Sequence, residues 1–236
     1  MVRGEVGERP LLVDIISRSV LYIKQTAQNN GTLANIVLDN ELSLYDEGNV
    51  FSLSRTFSPY YQNDNNYQVP NSKGELKQLF LHEYHRLWWQ GLSDMSKAET
   101  YRSVKTEIYF EKYLFSINNH KHRSALSRLR LSSHCLQIEK GHHHKHPLPR
   151  TERICPSCQN EIEDVPHFII KCPLYDQERD NLLQLVRNQS ANFDLIPTEF
   201  QKFIFILSNE DPIVLRGLSS FVYNAFRIRD QFLTNN

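Results

Sequence analysis

Three cysteines and a histidine recur in this chain as Cys155-x2-Cys158-x8-His167-x4-Cys172, and no other stretch restricts the fold as tightly. Three thiolates and one imidazole so close in sequence meet zinc's demand for four nitrogen or sulfur ligands in a closed tetrahedron, with no position left for water. Cys155-Pro-Ser-Cys158 can set two sulfurs on one tight turn, as zinc knuckles do. The second pair is harder, because residues five apart on an α-helix are turned by roughly 140° from each other and cannot face one ion. Pro173 pushes the residue before it out of the helical region. The expectation is therefore a short helix starting near Asp164, carrying His167 and packing Phe168 and Ile169 inward, with Cys172 just past its end and turned back. The bland alternative is three unrelated buried thiols and a surface histidine. CxxC followed by H-x4-C is more specific than that, and no strand-helix unit surrounds Cys155 to make a redox pair. Cys135 stands apart and reads as a core thiol.

Around this turn the apolar spacing is helical. Leu76, Phe80, Tyr84, Leu87 and Trp88 keep three- and four-residue steps, with Ser72 placed to cap and Gly91 near the exit. Trp88 and Trp89 are expected to pack into a core. A second stripe runs through Tyr101, Val104 and Ile108, then Phe110, Leu114 and Ile117, and Leu126 to Leu131 lies in a third, basic helix. Phe200, Phe203, Ile204 and Leu207 form a shorter one. Asp211 caps and Pro212 opens the last, whose stripe is Val214, Leu218, Phe221, Ala225, Ile228 and Phe232. Between Asn40 and Ser72 the polar, tyrosine-rich sequence buries no continuous face. The expected class is mainly α: an N-terminal helical segment at 1–39, a poorly ordered linker at 40–72, and a helical domain at 73–236 built around the Cys-Cys-His-Cys zinc turn.

Charge gives direction only locally. Lys+Arg and Asp+Glu both number 27, so the whole chain exerts no net pull on a polyanion. From His120 to Arg153, however, the basic residues include Lys121, Arg123, Arg128, Arg130, Lys140, Lys145, Arg150 and Arg153 against only Glu139 and Glu152. Arg123, Arg128, Arg130, Lys140, Arg150 and Arg153 are the candidate nucleic-acid contacts, since they can neutralise phosphates in a sequence-tolerant, salt-dependent way. A solvated helix face beside a loop is the competing reading. The histidines at 142 to 146 can be a second metal site or simply a polar loop. The charged N-terminus does not read as a signal peptide, and no apolar run reaches the ~18 residues of a membrane span. Four cysteines, three of them clustered, suit reduced thiols or metal better than a disulfide framework. An intracellular protein, nuclear or cytoplasmic and without membrane contact, is expected.

Several of these runs together resemble a known family. Thr100-Tyr101-Arg102-Ser103-Val104-Lys105-Thr106-Glu107, His122-Arg123-Ser124-Ala125-Leu126, Ile138-Glu139-Lys140-Gly141, Arg150-Thr151-Glu152-Arg153 and His167-Phe168 through Cys172-Pro173-Leu174-Tyr175 are similar to the C-terminal part of polyproteins from LINE-type, non-long-terminal-repeat retrotransposons. The match is dense from about 98 to 180 and resembles the zinc-binding region after the reverse transcriptase. The resemblance implies a helper in holding template RNA or target DNA, with a retroelement reverse transcriptase as a possible partner. The chain lacks a Tyr-x-Asp-Asp and the spread aspartates of a polymerase, and Glu210-Asp211 reads as a helix cap rather than a nuclease centre. The leading expectation is thus a zinc-stabilised nucleic-acid-binding module without polymerase or nuclease activity. A zinc-stabilised helical scaffold for protein partners is the alternative, and a histidine-based enzyme stands third, since no nucleophile or carboxylate pair lies beside the histidine run.

Overall fold

In the computed structural model, which describes residues 2–7, 11–28, 31–33, 72–143 and 145–235, the regular elements are helical. In chain order they are α1 (Val2–Glu5), α2 (Leu11–Gln28), α3 (Lys73–Ser93), α4 (Glu99–Val104), α5 (Tyr113–Ser116), α6 (His120–Arg130), α7 (Gln137–Lys140), a π-helical turn at His167–Lys171, α8 (Asp176–Gln189), α9 (Glu199–Leu207) and α10 (Pro212–Asn235). No strand forms among the described residues; isolated bridges join Val6 to Phe110 and Ile154 to Ile162. The chain divides into two units, Arg9–Trp89 and a second that combines Met1–Glu8 with Gln90–Asn236. This division differs from the expected boundaries at 39 and 72, because the first residues join the later unit. The expected linker at 40–72 lies outside the described residues except for Ser72.

In the smaller unit, α2 and the front of α3 bury Val13, Val20, Leu76, Phe80 and Leu81 together. Ser72 caps α3 as expected, its hydroxyl accepting from the Gly74 N–H at 3.2 Å. The stripe weakens toward the other end: Leu87 and Trp89 are exposed and Trp88 is half-buried. The two tryptophans are therefore not the packed core pair expected.

The larger unit is organised by α10. Asp211 Oδ1 accepts from the N–H groups of Ile213 and Val214, as an N-cap residue should. Val214, Leu218, Phe221 and Ala225 are buried, with Ile228 packed at the edge, and Leu215 and Val222 widen the expected stripe. α6 packs on one side of this helix and α8 on another. Gly217 permits the second approach, since a Cβ there would lie 2.6 Å from Leu185 Cδ1.

The helix expected through Tyr101 to Ile117 does not run continuously. It stops at Val104, where Lys105 becomes extended, and restarts as the single turn α5. Long-range polar contacts explain the break. Lys105 is fully buried and donates to the Tyr109 carbonyl and the Glu111 carboxylate, Glu111 pairs with Arg130, and Glu5 pairs with Arg130 and accepts from the Tyr113 hydroxyl at 2.6 Å. A buried ammonium without those acceptors would be too costly to keep, so the backbone turns to supply them.

Candidate metal centre and basic depression

The knuckle and the helix that carry Cys155, Cys158, His167 and Cys172 are each closed by backbone hydrogen bonds. The Cys155 N–H donates to Glu161 O at 2.8 Å and the Glu163 N–H to Arg153 O at 2.9 Å, which pins both ends of the 155–161 loop. Gln159 lies in the left-handed region at φ 53° and donates to Cys155 O, completing the turn. Asp164 Oδ1 accepts from the His167 N–H, so the helix does start where expected.

The fivefold spacing is solved differently from the expectation. His167 to Lys171 form a π-turn, and the Cys172 N–H donates to His167 O at 2.9 Å. Bonding between residues five apart brings Cys172 back over His167, which α-helical winding does not. Pro173 follows, and Cys172 is extended at ψ 121°.

Cys155, Cys158, His167 and Cys172 each present one ligand atom, all within 4.8 Å of one another, and the group can hold a metal ion. The Cys155 and Cys172 sulfurs are 3.8 Å apart, and Cys158 Sγ is 3.5 Å from His167 Nε2. Cys155, His167 and Cys172 are buried and Cys158 half-buried. Backbone N–H groups of Ser157 and Cys158 face the Cys155 sulfur and that of Leu174 faces Cys172, all favouring thiolate. Sulfurs so close cannot all be ionised without a cation: the hydrogen bond to Cys172, with burial, pushes Cys155 up to about 12, while accepting it lowers Cys172. Burial lowers the His167 pKa, but the neighbouring Cys155 and Cys158 sulfurs and Glu161 outweigh it and the net shift is upward. The other ring nitrogen, Nδ1, is buried without a formed hydrogen bond among the described residues and faces Glu161 Oε2 at 3.4 Å. Lys171, itself within 3.2 Å of Glu199, holds that carboxylate at 3.2 Å. Cys135 is not in the group, and no other cluster of three or more His, Cys, Asp or Glu forms among the described residues. His142 instead hydrogen-bonds Arg153, His143 lies 3.1 Å from Lys97, and His144 is outside the described residues.

The six basic candidates separate sharply. Arg130 is buried, bound to Glu5, Glu111 and the Leu207 carbonyl. Arg153 is buried too, donating to the carbonyls of Ile138 and Leu148 and meeting the His142 ring. Both are removed from the set of phosphate contacts, because their donors are already engaged inside the protein. Arg150 is half exposed but paired with Glu99 and Asp164. Lys140 is exposed with no ion pair among the described residues. Arg123 and Arg128 come together: with His120, Ser124, Ser127 and Ser133 they line a depression of about 530 Å³, walled by Leu114 and Leu131 and free of acidic residues. Each spends one donor on a backbone carbonyl, Arg123 on Ile117 and Arg128 on Ser133, and neither forms an ion pair among the described residues. Of the six candidates, only Arg123 and Arg128 share this depression. Ser124 and Ser127, whose i, i+3 spacing on α6 places them beside the arginines, and Ser133 just beyond the helix, were not singled out in the sequence.

No protein-family model, curated protein or solved structure matches this chain.

Proposed function

We propose that the chain is a zinc-stabilised nucleic-acid-binding module related to the C-terminal part of a retroelement protein, and that it binds without catalysing. A zinc tetrahedron with ~2.3 Å sulfur and ~2.0–2.1 Å nitrogen bonds has sulfur–sulfur edges of about 3.8 Å and sulfur–nitrogen edges of about 3.5 Å. The distances of 3.8 Å and 3.5 Å match those edges. Three sulfurs and one imidazole favour zinc over the oxygen-seeking cations, and four protein donors leave no site for a reacting water. Zinc bound there supplies a cross-link between the knuckle and the π-turn.

The observation that carries the nucleic-acid reading is the acid-free depression at Arg123 and Arg128. Two guanidinium groups with unused donors, flanked by three hydroxyls, suit a phosphodiester far better than a carboxylate-lined cleft does. The metal supports that surface at a distance. Phe168, next to His167, stacks on Phe226 with centroids 4.8 Å apart and lies 5.9 Å from Phe221, both on α10, and α10 packs against α6.

The test is a binding series on the zinc-loaded chain at several salt concentrations, with elemental analysis of the same preparation. One zinc per chain is expected, with a linear fall of log K against log salt. Arg123→Ala and Arg128→Ala should each lower that slope by about one. Chelation should weaken binding as well. Metal-free protein after purification under reducing conditions, or a slope indifferent to both arginines, would overturn the reading.

A further inference from the structure

A second surface feature is next to the depression in the chain. Phe110 and Phe115 stack with ring centroids 6.0 Å apart and planes inclined by 26°, yet they are 49% and 64% exposed. Two phenyl rings packed on each other and this far exposed form an aromatic face, unlike an isolated surface apolar residue. Their positions are fixed. Phe110 is held through its bridge to Val6, and Phe115 lies in α5 between Leu114, which lines the depression, and Ile117, whose carbonyl accepts from Arg123 at 2.9 Å. Phe115 thus directly follows, in the chain, a residue that lines the depression.

Resting on the nucleic-acid reading above, we infer that the ligand is single-stranded: the Arg123/Arg128 depression takes a backbone phosphate and the Phe115/Phe110 pair stacks a neighbouring unpaired base. Charge complementarity selects the occupant, because an apolar protein anchor would gain nothing from two unpaired guanidinium groups and an acid-free wall. Double-stranded nucleic acid hides its base faces in the helix stack, whereas an unpaired base exposes a face that any aromatic ring can cover irrespective of sequence. Ser124 and Ser133 complete the phosphate environment as neutral donors, while Ser127 is engaged with Tyr113. The arrangement has no hydrogen-bonding code for base edges, so the preference is for strandedness and not for sequence.

The experiment is fluorescence anisotropy with labelled oligo(dT) and oligo(U), and with the duplex of oligo(dT) and oligo(dA), on the zinc-loaded full chain. Single strands should bind more tightly than the duplex at equal salt. Phe115→Ala should weaken single-strand binding by about tenfold while leaving the duplex and the salt slope unchanged, since stacking is not ionic. Phe115→Tyr should restore it. The exposure of Phe115 makes loss of folding an inadequate explanation, and circular dichroism of the variant checks this. Unchanged oligo(dT) binding by Phe115→Ala overturns the inference while Arg123→Ala still reports on the broader reading. An equal loss on single strand and duplex overturns it too, and so does loss of self-association in Phe115→Ala with intact oligo(dT) binding, which would assign the rings to a protein contact. No binding of any of the three at low salt overturns both readings.

Discussion

Arg153 sits under the metal loop with its guanidinium turned inward, and Gly141 makes that possible: a Cβ on residue 141 would lie 2.5 Å from Arg153 Nε. The carbonyls of Ile138 and Leu148 that it serves would otherwise be short of donors. Arg153→Ala should therefore cost stability, about 2–3 kcal/mol for lost charge-assisted hydrogen bonds, and leave the salt slope of binding unchanged. Arg128→Ala should do the reverse, with folding altered by no more than about 0.5 kcal/mol and the slope reduced. Denaturant titration of each variant beside its salt series separates the two roles. A charge count along the sequence cannot make this distinction, because whether an arginine meets Glu5 or water is decided by residues more than a hundred positions away.

Among the helices, α10 combines both kinds of support, a local cap and a buried stripe. Asp211→Ala removes the acceptor for two N–H groups and should cost about 1 kcal/mol, whereas Phe221→Ala opens a cavity beside Phe168 and should cost about 3–5 kcal/mol. Denaturation midpoints that reversed this order would mean that the helix is held by its own propensity and not by packing. The features legible in the sequence are those with local causes: the caps at Ser72 and Asp211, the stripe from Val214 to Ala225, and the four ligands. The π-turn was not legible, since nothing in His167–Lys171 itself demands bonding between residues five apart; the need to face Cys172 and His167 together does. The stop at Val104 was hidden for a similar reason. Lys105 reads as a solvated residue until Glu111 and the Tyr109 carbonyl are placed around it. Phe110 read as part of a helix stripe and Phe115 was not singled out, because periodicity does not say which apolar residues find a neighbour.

For the molecule as a whole, buried ionisable groups fix its response to acid. His134 stacks near Phe226, neither ring nitrogen has a hydrogen-bond partner among the described residues, and burial, aided by Arg229 and Arg128, lowers its pKa to about 4. An unfolded histidine titrates near ~6.5. The unfolded chain thus binds more protons between these values, so the stability linked to this group is fully present above pH ~6.5 and lost as pH falls through about 4. From pH ~7 to ~5 the loss amounts to about 2 kcal/mol. His134→Phe should be less pH-sensitive than the parent by that amount over the same range, and comparing the two zinc-loaded proteins cancels the acid sensitivity of the cysteine ligands. Parallel stability curves would show that His134 is not held neutral. The ion pair of Glu5 with Arg130 bears on time rather than on equilibrium. The partners are 125 positions apart, and at ~5–20 residues per second a ribosome needs roughly 6–25 s to travel between them. For that interval the carboxylate lacks the guanidinium that it meets in the fold. The segment that carries Glu5 is therefore made well before the residues that secure it, and its ion pair with Arg130 can close only after α6 has been synthesised.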